Sequence, residues 1–351
     1  MFLIKGLLRI ILSLFVFLGV DHLFRMINKH KITILIYHGV VPEALVPPGS
    51  LQLSVQDFAW QMAYMKRHYH VMPLSELVRK INQNEVLPDN IAVVTFDDGF
   101  ENNYTVAYPV LKRLGIPATI FIPTGFVETD KILWPQELYL MMTASSQKGL
   151  DMRDHGMGIY DLRTMSSNTN MMTLNTQVID DMRSCFKNFP EEDKKRLLAI
   201  IRQRLGVGDL DEGLRRRFAM LSWEQITKMN QSGFISFGSH TANHPFLINL
   251  DKDALTREIV ESFETIKKKL NSQDILFAYT YGNQGDFNEL SKQIVKEQGA
   301  VCAVTTIEGL NGREDDLFEL KRVFCNVTRD AFRLAVSGCL TELKKLKRSA
   351  Y

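Results

Sequence analysis

Residues 91–99 read Ile91-Ala92-Val93-Val94-Thr95-Phe96-Asp97-Asp98-Gly99, an apolar and β-branched run that ends in two adjacent carboxylates and a glycine. A strand apolar on both faces belongs to a parallel sheet, where helices cover it from both sides. The two carboxylates at its end are hard to explain as structure. A buried unpaired charge is costly, so such a pair requires a metal, a cation or a shared proton. A matching donor set stands at the end of a second apolar segment, where Phe234-Ile235-Ser236-Phe237 leads into Ser239-His240-Thr241-Ala242-Asn243-His244-Pro245. One Asp and two His make an open three-ligand site with room for an activated water, and the other Asp is then free to act as a base. These residues point to metal-dependent hydrolysis.

Outward from this stretch, strand and helix patterns alternate. Residues 31–38 form a first β-branched strand pattern, 55–67 show helical spacing with Phe58, Met62 and Met65 on one face, and 104–114 read as a helix closed by Gly115. A strand follows at 117–122. Alternation resumes with a helix over 222–231 (Ser222 as N-cap), a strand ending at Ser239 and a helix over 253–270. It continues with a strand over 275–279, a helix over 288–298, strands over 300–305 and 320–327, and a helix over 330–346 with a basic tail. This order predicts an α/β fold with a closed or nearly closed (β/α) barrel. Between about 130 and 220 the chain changes character, with the Met- and Asn/Ser/Thr-rich stretch 165–177 and the charged helical run 191–205 but no strand pattern. A helical insertion is expected there. It either shapes a cleft or lid, or layers the barrel bottom.

The 351 residues suffice for a large core, and a net charge of +2 with no basic stripe among aromatics excludes a nucleic-acid footprint. Cys185, Cys302, Cys325 and Cys339 lack zinc-knuckle spacing and read as free thiols, three of them in apolar runs. Residues 2–20 are apolar apart from Lys5 and Arg9, and a basic stretch follows at 25–31. The uninterrupted run 10–20 is short for a spanning helix, and no small-residue cleavage site follows it. Residues 1–30 are therefore expected to associate with a membrane, as an uncleaved signal anchor or an interfacial helix, with the barrel occupying 31–351. That places the chain at a bacterial inner membrane; cations on both sides of the run leave its side open.

In this order, Thr-Phe-Asp-Asp-Gly at 95–99, His-Thr-Ala-Asn-His-Pro at 240–245, Phe-Ala-Tyr-Thr-Tyr-Gly at 277–282 and Leu-Lys-Arg-Val at 320–323 resemble the motifs of the polysaccharide deacetylases, the NodB-homology carbohydrate esterases of family 4. The resemblance spans about residues 33–327 apart from the insertion. It implies a distorted (β/α) barrel of that type, with the site at the strand C-terminal ends. It also implies metal ligands Asp98, His240 and His244, with Asp97 as general base. The expected reaction removes the N-acetyl group of a sugar in a surface or exopolysaccharide, leaving acetate and a free amine. The metal is expected to be Zn²⁺, with Co²⁺ or Ni²⁺ also compatible with the donors. The tetrahedral oxyanion would be stabilised by the metal and by a donor such as the backbone N–H of Tyr281.

Two departures matter. Much of the family places an acidic His in a Leu-x-His motif near the C-terminus, whereas no His follows His244 here. His38, in Ile36-Tyr37-His38-Gly39, is similar to an early His of the poly-N-acetylglucosamine deacetylase branch. It is expected in the site as the acid, or as a group that only orients it. The family often has Arg and Pro where this chain has Ala278 and Thr280, and the Arg usually orients the base. Arg322 is expected to substitute, or else to be an ordinary strand-end cation. His22, His30, His68, His70 and His155 get no site role. Two alternatives stay open: deacylation of an O-acetyl or lipid-linked sugar, and a non-catalytic glycan-binding or assembly protein with a degenerate barrel.

Overall fold

A computed structural model describes residues 2–43, 51–162, 172–210 and 212–349. Its centre is a barrel of parallel strands β1 (Ile32–Tyr37), β2 (Ile91–Phe96), β3 (Ala118–Ile122), β4 (Ile235–Ser239), β5 (Ile275–Ala278), β6 (Ala300–Glu308) and β7 (Leu320–Phe324). The order around it is β1-β7-β6-β5-β4-β3-β2, and β2 returns to β1. β1 and β2 are in register from Ile32↔Ile91 to Tyr37↔Phe96, and β7 closes the ring through Leu35↔Val323 and Ile36↔Phe324. The distortion is local: β4 and β5 pair only at Phe277↔Ser239, and β6–β7 shifts register between Val304 and Glu308.

Strand periodicity sorts the side chains into two layers. Ile32, Ile34, Val93, Leu276, Cys302, Val304 and Leu320 fill the inside, together with Leu74, Leu77 and Val78 of helix Leu74–Asn82. Leu35, Tyr37, Ala92, Val94 and Phe96 face out, and helices Val55–His68, Lys252–Leu270 and Arg329–Val336 contribute Phe58, Ile259 and Phe332 to that layer. Helix Leu74–Asn82, absent from the sequence reading, therefore packs into the barrel interior.

Several expected elements change at their ends. The 104–114 helix begins with a π-helical turn, Asn103–Ala107, before Tyr108–Leu114 and its left-handed Gly115 cap. The 320–327 strand stops at Phe324. The 330–346 helix is two helices, Arg329–Val336 and Cys339–Ser349, broken at Gly338. Gly338 has φ +84°, and a Cβ there would lie 2.6 Å from the Asn28 amide, so only glycine fits. Ser222 caps its helix as expected, in a reciprocal capping box with Gln225. Cys302, Cys325 and Cys339 are buried free thiols.

The chain between β3 and β4 builds a helical layer with its own apolar cluster, including Leu138, Met141, Met182, Phe186, Ile201 and Phe218. Helices Trp134–Ala144, Met172–Phe186 and Glu191–Arg204 carry most of it. It also contains a short antiparallel pair, Gly149–Asp151 with Ile159–Asp161, for which the sequence showed no strand pattern. Three-residue strands leave no detectable alternation, which is why the pattern missed them. The first part of the Asn/Ser/Thr-rich stretch, to residue 171, lies outside the described residues. The layer sits at the strand C-terminal ends, where Pro135, Gln136, Tyr139, Ile179 and Arg183 share a cleft with the barrel. The barrel-bottom alternative is thereby excluded.

At the N-terminus, helices Phe2–Phe17 and Val20–Ile27 meet at 68° around a left-handed Gly19. No single helix among the described residues is long and apolar enough to cross a membrane, and this bent pair passes the length and composition test only together. One side is fastened to the body: the buried Asp21 carboxylate pairs with Arg333 at 2.9 Å and accepts from Tyr64 at 3.3 Å. The other side leaves Ile10, Leu14, Phe17, Leu18, Leu23, Met26 and Ile27 exposed, Phe17 by 85%.

Candidate active site

The inward positions of each strand converge on the C-terminal mouth. In β2 the alternation that buries Ile91 and Val93 inside continues through Thr95 to Asp97, and in β1 that of Ile32 and Ile34 continues to His38. After Asp97 the backbone turns left-handed at Asp98 (φ 71°) and Gly99 (φ 65°), which brings the second carboxylate to the same opening. Thr241 (φ 65°), His244 (φ 57°) and Tyr281 (φ 60°) are left-handed as well. Non-glycine residues in this region cost of order 1–3 kcal/mol each and persist only where their surroundings over-determine them. Their clustering marks the site independently of any motif.

Asp98, His240 and His244 present ligand atoms that all lie within 4.8 Å of one another. Nε2 of His240 is 3.7 Å, and Nε2 of His244 3.4 Å, from the same Asp98 oxygen. His240 Nδ1 lies 2.8 Å from the Ala278 carbonyl, which requires the proton on Nδ1 and frees the Nε2 lone pair for a metal. Burial pushes the His240 pKa down to about 4, against the pull of Asp97 and Asp98, so the ring is neutral as a ligand must be. Burial alone would raise Asp98, but hydrogen bonding from His244, the largest of the opposing effects, holds the carboxyl below its ordinary range. The buried His244 Nδ1 has no partner among the described residues. These donors fit a divalent N₂O metal site.

The His loop is secured from outside. Glu258, on helix Lys252–Leu270, accepts from the backbone N–H groups of Ala242 (3.1 Å) and Asn243 (2.8 Å) and from the Asn243 amide (2.9 Å). Thr241 Oγ1 accepts from the His244 N–H at 3.0 Å, and Thr280 donates to the Pro245 carbonyl at 2.6 Å. On the opposite wall the π-helical turn is preceded by Asn102, which accepts from the Val40 N–H, and begins with Asn103, which donates to the His38 carbonyl at 2.7 Å.

Asp97 is held in a different way. Arg322, fully buried on β7, donates Nη1 to one oxygen at 2.7 Å and Nη2 to the other at 2.6 Å. Its remaining donors reach the Thr305 carbonyl and Thr95 Oγ1. The inward position on β5 carries only the Ala278 methyl, so the guanidinium comes from β7 instead. Burial would raise the Asp97 pKa, and the Arg322 charge overcomes this to leave it below the usual carboxylate value. Arg322 is thus in the site, not a strand-end cation.

His38 is half-buried on the cleft wall with Asp97, Asp98, His240, His244 and Tyr281. Burial lowers its pKa, with Asp98 and Asp97 opposing that shift. The Tyr281 backbone N–H has no acceptor among the described residues, and its carbonyl accepts from Thr306 Oγ1 at 2.5 Å. The cleft encloses about 520 Å³. Every residue expected in the site lines it except Arg322, which lies beneath Asp97. His22, His30 and His155 face Arg25, Asp89 and Asp154 away from it. Sequence reasoning missed Glu258, Asn102 and Asn103, which act through neighbours, and Trp134 and Arg183 of the helical layer. Of these, only the Trp134-Pro135 helix start carried a signal.

The model of one family, polysaccharide deacetylase, matches residues 84–191 and 193–303, more than half of the chain. The chain belongs to the polysaccharide deacetylase family. A curated member, the putative polysaccharide deacetylase YxkH of Bacillus subtilis strain 168, is 32% identical over 93 residues, or 26% of this chain. The match spans only 32% of that relative's length. Among solved structures, the deacetylase PplD of Streptococcus pyogenes, determined in complex with acetate, superposes with a TM-score of 0.53 at 23% identity over 84% of this chain and 92% of that one. IcaB from Ammonifex degensii gives 0.55 at 20% identity over 88% and 97%. At such identities these likenesses bear on the fold, which is the distorted barrel of polysaccharide deacetylases.

Proposed function

We propose that this chain is a metal-dependent deacetylase that removes N-acetyl groups from a bacterial surface or exopolysaccharide. The reading rests on one observation: a carboxylate clamped by a buried guanidinium stands beside a separate Asp/His/His donor set in one cleft. A glycan-binding protein has no use for a second, ionised carboxylate there. Arg322 also removes one of the two departures that favoured a degenerate barrel.

A divalent metal on Asp98, His240 and His244, with Zn²⁺ suiting the donors best, would supply Lewis-acid polarisation of the amide carbonyl and ease deprotonation of water. Asp97, kept charged and oriented by Arg322, takes the proton from the attacking water. The Tyr281 N–H, on a cleft-lining residue and without an acceptor among the described residues, would receive the oxyanion. Asp97 then returns its proton to the departing nitrogen. His38 is kept neutral by burial, which favours a hydrogen bond to substrate over the resting-state acid. His38→Gln is then expected to keep kcat within about 10-fold, whereas a general acid would lose roughly 10²–10⁴-fold.

The exposed apolar face of the N-terminal pair supports attachment as a bent helix pair lying in the membrane interface. Phe17→Asp with Leu14→Asp should release the full chain from anionic vesicles in a flotation assay; unchanged flotation contradicts this attachment.

The decisive experiment loads the full chain in detergent with Zn²⁺ or Co²⁺ and measures acetate from N-acetylglucosamine oligomers beside Asp97→Asn. Metal-dependent release that vanishes in the variant supports the reading. Release only from O-acetyl or lipid-linked sugars redirects it to those substrates, and stoichiometric metal with no release from any of them ends it.

A further inference from the structure

The helical layer between β3 and β4 does more than wall the cleft. Besides its backbone bonds to the Gly99 and Thr241 loops, it makes one group of side-chain contacts around Tyr281, and we infer that Trp134 and Lys194 are positioning residues that hold the Tyr281 N–H at the oxyanion. This deepens the deacetylase reading and rests on it.

The indole N–H of Trp134 donates to the Tyr281 hydroxyl at 2.7 Å. Trp134 is itself fixed by stacking on Phe186, with centroids 4.7 Å apart and planes within 13°. Phe246, two residues after His244, lies flat on the Tyr281 ring at 3.6 Å and 8°. Above Phe246 sits Lys194, a lysine only 2% exposed, its Nζ 4.4 Å from the ring centroid and 2.5 Å from a Glu191 oxygen. A lysine so buried needs both the carboxylate and the π face, because burial alone would expel its charge. A third hold comes from Lys187, whose Nζ reaches the Gly285 carbonyl and Asp286 Oδ1, both at 2.6 Å. Asp286 Oδ2 in turn accepts from the Asn283 N–H at 2.9 Å. From the barrel side the same loop receives the Thr306 side chain on the Tyr281 carbonyl, the Thr306 N–H on that of Gly282 and the Ile248 N–H on that of Asp286.

Such holds are what a left-handed tyrosine requires. With φ 60°, Tyr281 would relax unless its ring and loop were pinned, and relaxation would swing the N–H out of line. A lid that merely excluded water would have no need to grip this loop at both ends.

The test uses the full chain with four variants. Trp134→Phe keeps the stacking on Phe186 and removes only the donor, and Tyr281→Phe removes the acceptor of the same bond. Each should lower kcat about 10- to 100-fold, the cost of sub-ångström to ångström misplacement. KM should move less than about 3-fold, because the lost interaction belongs to the transition state. The double variant should be no slower than the worse single one, since both delete one interaction. Lys194→Met keeps the stem over Phe246 without the charge and should lower kcat about 3- to 10-fold, in keeping with a cation–π contact. Bound metal per chain and thermal midpoint check that each variant is folded. Amide exchange of the 279–287 segment gives a reading independent of turnover, and it should quicken at least about 10-fold in Trp134→Phe as local opening becomes easier. Unchanged exchange, multiplicative losses in the double variant, or losses confined to KM each overturn the inference. Faster exchange in Trp134→Phe, together with a wild-type chain that releases no acetate, would instead leave the clamp standing and defeat the deacetylase reading.

Discussion

Asp97 lines the cleft and Trp134 meets it through Tyr281, and different forces keep the two in place. Asp97 ends an inward row of a barrel strand, and its partner Arg322 comes from another strand of the same barrel. Two backbones locked in the sheet fix the pair, and inside the barrel its charge is all that must be neutralised. Trp134 opens a helix of a layer with a separate apolar cluster, and reaches the chemistry only by touching Tyr281. The barrel wall thus supplies the charged groups, while the added layer supplies aim. Changes to the first should strike the reaction and the fold together; changes to the second should spare the metal and the barrel.

The contrast is tested hardest at the Asp97–Arg322 pair. Asp97→Asn should cut acetate release by about 10³-fold or more. It should also destabilise the barrel by about 3–5 kcal/mol, since a buried guanidinium is left without its anion. Arg322→Met should cost a similar amount from the other side. The double variant Asp97→Asn, Arg322→Met should regain most of that stability in urea melts and none of the activity. If the double variant is as unstable as the singles, the pair is not the closed unit described above.

In the helical layer, Phe186→Ala should cost about 3–5 kcal/mol by opening a cavity against Trp134. The loss should appear as local opening: exchange rises across 134–205, while β1–β7 keep their protection. A uniform rise over both regions would mean that barrel and layer unfold as one. Glu258→Gln is milder and should weaken metal binding about 10-fold in a chelator competition, with the barrel unaffected, because it loosens only the loop under His244. Smallest is Ser222→Ala, which removes half of a capping box and should lower stability by about 1 kcal/mol without altering kinetics.

The barrel was legible because its strands carry their signal locally. Ile91–Phe96 and Ile32–Tyr37 are β-branched runs bounded by polar turns, and the period of two already places Asp97 and His38 on the inward side. The donor set was legible for the same reason: Asp98, His240 and His244 follow strand ends. Arg322 was half legible, since only closure of the ring shows that β7 lies near enough to β2. The layer between β3 and β4 was not. Its helices pack Met141, Met182 and Phe186 against one another rather than on a periodic face of the barrel, and its short strands lack an alternation. Trp134 and Lys194 act through Tyr281 and Phe246, so no spacing in the sequence joins them to the ligands. The break at Gly338 was hidden because its cause, the Asn28 amide, comes from the other end of the chain.

The Asp97–Arg322 pair also has a consequence for the order in which the protein can mature. Its partners are 225 residues apart, and Arg322 lies on β7, the last barrel strand in chain order. Until that strand docks, the base has no counter-charge, and an open six-strand sheet holds a carboxylate it cannot bury. Ring closure is therefore the event that makes the centre competent, and a nascent or C-terminally clipped chain should be inert. Long-range pairing of this kind should make closure the slow step of refolding.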